Sequence, residues 1–148
     1  MGKKQPKIKS QSPVTKIPKL LNDPEFGRDK EIIWKFGHMV CNSERRWSWN
    51  SFTNGSKVGE VFKTLGDLEK MKFNEINTSP GHHHSIKVSS IIRKAQRELE
   101  ILELDDHESL FSLAICGKIR VWCLFNENMF CPLWYDPDHE IYHSSKRN

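Results

Sequence analysis

ESLFSLAICGKIRVWCLFNENMFCPLWYDPDHEIY, residues 108–142, reads as three consecutive strands that end in a polar cluster. Residues 110–116 are apolar, Gly117-Lys118 is turn chemistry, and residues 119–125 alternate strongly. Asn126-Glu127-Asn128 is a second turn, residues 129–135 form another apolar run, and Asp136-Pro137-Asp138-His139 breaks the pattern. This meander gathers Lys118, Arg120, Trp134, His139 and Tyr142 into a small part of the fold. Any chemistry is expected there.

Upstream, Ile32-Ile33-Trp34-Lys35-Phe36 through Cys41 reads as a strand, residues 42–46 as a polar turn and Trp47-Ser48-Trp49 as a short partner strand. Asn54-Gly55-Ser56 supplies turn and N-cap chemistry for a helix over about residues 57–77. Its core stripe is Val58, Val61, Phe62, Leu65, Leu68 and Met71, at three- and four-residue intervals. Residues 77–85 read as a loop holding His82, His83 and His84. Ser89 or Ser90 caps a second helix running to about Leu102, with Ile92, Ala95, Leu99 and Leu102 inward. Strands and helices grouped in this way predict an α+β domain: an antiparallel sheet of four to five strands with two helices packed on one face. The other face of such a sheet is open to a ligand.

Residues 1–22 hold six lysines and no acid, which leaves 17 basic residues against 19 acidic ones in the rest of the 148-residue chain. The formal charge of +4 therefore belongs to the leading segment, and the body is not built to coat DNA by charge alone. Residues 1–24 are read as a disordered lysine-rich tail and 25–148 as one domain. No apolar run approaches 18 residues and no signal-peptide core follows the lysines, so a cytoplasmic protein with no membrane contact is expected. Cys41, Cys116, Cys123 and Cys131 show no CxxC spacing and are read as small core residues.

Register across the last hairpin decides what shares a face. If Cys123 pairs with Cys131, then Val121 meets Leu133 on the helix side, while Arg120 meets Trp134 and Trp122 meets Pro132 on the open side. Phe111, Leu113 and Ile115 join the core side if the turn at Gly117 spans three residues. On the open side the arginine fork can grip a phosphate while an indole stacks a base. Trp122, Trp134, Lys146 and Arg147 are the candidate nucleic-acid contacts. Histidine can move protons near neutral pH and tyrosine can donate or orient. A metal site on Asp136, Asp138 and His139 is a further possibility, although Pro137 suggests that Asp136 opens a turn.

Residues 109–142 resemble the RelE superfamily of bacterial toxins, in particular its YoeB-like branch. The likeness lies in a strand, a turn with a basic residue, an arginine-aliphatic-aromatic strand, a short polar turn, and an apolar strand ending near His and Tyr. The resemblance implies a metal-independent endoribonuclease that activates the RNA 2′-hydroxyl and needs no cofactor. Its partners would be RNA, including ribosome-bound RNA, and a neutralising antitoxin protein. By position, Arg120 looks like the arginine at the scissile phosphate, and His139 and Tyr142 like the acid/base and stacking positions, with Lys118 beside them. The alternative is a non-enzymatic module that binds a protein or nucleic acid through an aromatic and basic sheet face.

Overall fold

The computed structural model describes residues 29–52, 55–78 and 82–144. The expected tail at 1–24 lies outside them, as do Lys146 and Arg147. Five strands form one mixed sheet: β1 (Ile33–Trp34), β2 (His83–Lys87), β3 (Ser109–Ala114), β4 (Arg120–Asn126) and β5 (Met129–Asp136). Their order is β1-β5-β4-β3-β2, with β1 parallel to β5 and every other pair antiparallel. Three helices accompany them: α1 (Gly55–Glu69), α2 (Phe73–Thr78) and α3 (Arg93–Ile101). The fold is α+β as expected, but the sheet is not wholly antiparallel. Among the described residues no helix is long and apolar enough to cross a membrane.

The helices do not share a face. Val61, Leu65 and Leu68 of α1 and Ile76 of α2 pack with Phe111, Leu113, Val121 and Phe130. Ala95 and Leu99 of α3 pack with Leu110, Trp122, Leu124, Leu133 and Trp134 on the opposite side. The sheet is therefore covered twice, and the expected open face is closed by α3 and by the segment carrying Val40 and Trp47. Strands buried on both sides read as near-continuous apolar runs, as Leu110–Leu113 and Leu133–Tyr135 do.

The turn between β3 and β4 does span three residues. Ile115 N–H donates to Ile119 O at 3.1 Å, and Phe111, Leu113 and Val121 share a core, as the conditional reading required. The β4–β5 hairpin departs from expectation. Its loop is the two residues Glu127-Asn128, with Glu127 at φ 55°, so Asn126 pairs with Met129 and Leu124 with Cys131. The register then shifts between Trp122 and Cys123, leaving Cys123 opposite Pro132 and Trp122 opposite Trp134. A bulge accommodates a proline, which cannot donate to the ladder, inside a strand paired on both sides. As a result Leu133 lies in the α3-side core and Val121 in the other, although both are buried.

Other elements differ locally. The expected first helix ends at Glu69; Lys72 N–H donates to Glu75 Oε2 at 2.9 Å, and α2 starts afresh at Phe73. Ser89 and Ser90 lie in a 3₁₀ turn and do not cap α3, whose N-cap position is Ile92. The expected strand from Ile32 to Cys41 is regular only at β1, and Trp49 N–H still donates to Val40 O at 2.8 Å. Phe62, expected in the core, is 59% exposed. All four cysteines are free, and Cys41 is exposed.

Candidate functional site

Of the expected loop at residues 77–85, His82 lies in a turn, but the chain from His83 onward does not. His83, His84, Ser85, Ile86 and Lys87 form the edge strand β2, paired with β3 from Leu113 to Ser109. That pairing carries the histidines to the end of the sheet where Arg120 begins β4. His84 stands opposite Ser112, Ser112 opposite Trp122, and two residues further along Ala114 stands opposite Arg120, which pairs with Asp136. Two imidazoles, a guanidinium and a carboxylate thus approach one end of the sheet from β2, β4 and the end of β5: His84, Arg120, Asp136 and His139.

Arg120 is half-buried. Its Nη1 donates to Gly117 O at 2.8 Å and Ile119 O at 3.0 Å, which locks the side chain over the β3–β4 turn. Gly117 takes φ 51°, a conformation that a residue with a Cβ resists, and it directs its carbonyl back at the guanidinium. Among the described residues no carboxylate forms an ion pair with Arg120. Its remaining N–H groups keep the planar fork that suits two oxygens of one phosphate.

Asp136 has a different role. Fully buried, it accepts N–H groups from Trp122 Nε1 at 3.3 Å, Glu140 at 2.9 Å and Ile141 at 3.2 Å. Both oxygens are engaged, so the Asp136–Asp138–His139 metal reading does not fit; the carboxylate is the pin around which the 136–141 turn wraps. His139 sits in that turn at φ 57°, a left-handed conformation uncommon for a residue with a side chain. The Glu140 and Ile141 N–H bonds to Asp136 hold the turn in which it sits.

Electrostatics tie the imidazoles to Arg120. Burial first, then the Arg120 charge, holds His139 below its usual 6.5; Asp136 opposes this, while His143 and His84 add to it. Burial and then Arg120 lower His84 in the same way. His83 is lowered mainly by burial, then by His82 and Arg120, and its Nδ1 accepts the Ala114 N–H at 3.1 Å. Near neutral pH these rings are uncharged bases beside a permanent cation. Arg120, His82 and His83 also line a cleft of about 670 Å³ that reaches Thr64, Asp67 and Cys116. That volume falls within the range of small-ligand sites.

The sequence named Arg120 and His139, and the fold brings them together. Lys118 is exposed in the neighbouring turn. Tyr142 packs its ring against the α3-side core, and no contact described for it joins it to Arg120 or His139. Trp122 and Trp134 are 0% exposed. Neither can stack a base, so the aromatic binding face is corrected: both indoles are core. His84 is the member that sequence reasoning missed, because its strand lies 36 positions before Arg120 and begins with residues of weak strand preference.

No curated protein and no solved structure matches the chain. A family model does match residues 52–148, a span that holds α1 to α3, β2 to β5 and every member of the Arg120 cluster, and the chain belongs to that family, described as Uncharacterised protein UU032.

Proposed function

We propose that the protein is a metal-independent RNA endonuclease of RelE type, centred on Arg120 with His139 and His84. The observation that carries this reading is a half-buried arginine, free of any carboxylate among the described residues, that lines a cleft and whose charge helps hold His84 and His139 below their usual range. Anions of the substrate would complete such a site.

The chemistry follows from those groups. Neutral His139 takes the proton of an RNA 2′-hydroxyl, whose oxygen attacks the adjacent phosphorus. The new P–O2′ bond forms as the P–O5′ bond breaks, and the proton that His139 has taken passes through neutral His84 to the leaving 5′-oxygen. Arg120 holds the phosphoryl oxygens as charge builds on them, the step at which a fixed cation contributes most. The nucleophile is internal to the substrate, so no metal is needed to generate it. The products are a 2′,3′-cyclic phosphate and a 5′-hydroxyl. Lys118, exposed one turn away, attracts the flanking backbone.

Further support comes from the β3–β4–β5 meander, the part of the chain on which the RelE resemblance rests. On this reading the substrate is RNA, free or ribosome-bound, the cognate partner is a neutralising antitoxin, and the protein works in the cytoplasm. The test is incubation of the full chain with single-stranded RNA in EDTA, followed by end analysis. Cyclic-phosphate ends are expected, and a 2′-deoxy residue at the cleaved position should block the cut. Cleavage of the deoxy substrate, or cleavage lost in EDTA, would overturn the reading.

A further inference from the structure

Away from the Arg120 site, the outer side of α1 carries an apolar groove of about 440 Å³. Its walls are Phe36, Met39, Trp49 and Phe52 on one side and Val58 and Phe62 on the other. Phe62 is 59% exposed and Phe36 48%. Through Phe36, Phe62 and Leu65 the groove continues into a second depression of about 400 Å³, lined also by Ile32, Ile33 and Glu69. Contiguous exposed apolar surface of this kind marks a place where something docks.

Two features identify the occupant. The described chain begins at Asp29, and three residues later Ile32 already lines the second depression, so the preceding segment joins the body at the margin of the groove. That segment is lysine-rich, yet Val14, Ile17, Leu20 and Leu21 fall within eight positions of one another. Seven residues lie between Leu21 and Asp29, and the eight steps from one to the other extend up to about 26–29 Å. The groove runs along α1 from Val58 to Gly66, about 12 Å at 1.5 Å per residue. The tether is long enough. Lys16 and Lys19 interleave the apolar residues, and exposed Glu69 at the rim offers them an acid.

We infer that residues 14–21 of this same chain dock in the Phe36–Phe62 groove. A segment with too few apolar residues for a core of its own can order against one already built. Tethering raises its local concentration to the millimolar range, so modest contacts suffice.

The test uses the full chain with Leu20 replaced by the photocrosslinker p-benzoylphenylalanine. After irradiation, digestion and mass analysis, crosslinks should fall on peptides carrying residues 36–52 and 58–65, within a single chain, with a yield unchanged by dilution. Phe62→Glu should abolish them while the circular-dichroism melt stays close to that of the parent, because Phe62 is mostly exposed. Crosslinks scattered over the surface, or undiminished in Phe62→Glu, would overturn the inference. Products joining two chains that vanish on dilution would also overturn it and assign the groove to a second copy.

Discussion

Trp122 and Asp136 meet in the α3-side interior of the sheet, where the indole Nε1 donates to the carboxylate Oδ2 at 3.3 Å and neither residue reaches solvent. The contact exists because the β5 bulge sets Trp122 against Trp134 and brings Asp136 level with Arg120. Through Glu140 and Ile141 the same carboxylate fixes the turn that presents His139. A residue read as the opening of a turn thus links the core to the candidate chemistry.

Asp136→Ala would leave two buried N–H donors, of Trp122 and Ile141, and the part-buried one of Glu140 without this partner. At about 1–3 kcal/mol for each unsatisfied group, partly relieved by relaxation, the loss should reach about 3 kcal/mol or more. Asp136→Asn keeps one carbonyl acceptor and should fall between. Urea denaturation measures both, and a loss below about 1 kcal/mol for the alanine variant would show that the turn does not depend on this carboxylate.

The two indoles of the ladder should respond differently. Trp134 Nε1 is buried without a hydrogen-bond partner, whereas Trp122 Nε1 is bonded to Asp136. Replacing either by phenylalanine removes similar volume, but Trp134→Phe also removes an unsatisfied donor, while Trp122→Phe strips Asp136 of one. Trp122→Phe is expected to be the more destabilising by about 1–3 kcal/mol. Equal losses would mean that the buried donor carries no cost.

Stability should decline in mild acid. His83, His84 and His139 have folded values below 6.5, so between the folded and unfolded values the unfolded chain binds more protons. Their contribution is full above pH 6.5 and is lost as pH falls through the folded values. Arg120→Gln removes a cation that depresses all three, so NMR titration should show the His84 and His139 values rising. Unchanged values would separate Arg120 from the histidines.

Much of the fold was legible because periodicity reports burial. The α3 stripe of Ala95 and Leu99 and the three strands after Ser109 are where their patterns put them. The double covering is also written in the sequence, since Leu133-Trp134-Tyr135 leaves no polar face, whereas strict alternation would turn one side of it to solvent. Register was not legible. It turned on whether Glu127 accepts a left-handed conformation and on how Pro132 is relieved, and both are settled by tertiary packing. At the site, Arg120 and His139 are legible because both belong to the one meander of residues 109–142. His84 is not, because only strand pairing makes it their neighbour.

The central claim is that Arg120 stabilises a phosphoryl transition state and is not chiefly a structural residue. The most direct measurement is the single-turnover rate of RNA cleavage in EDTA by Arg120→Ala, with its melting curve recorded in the same buffer. The rate is predicted to fall by about 10²–10³-fold. The melt should shift only by the loss of two hydrogen bonds to Gly117 and Ile119, about 1–3 kcal/mol. Cleavage at the parental rate by a folded Arg120→Ala protein would contradict the account.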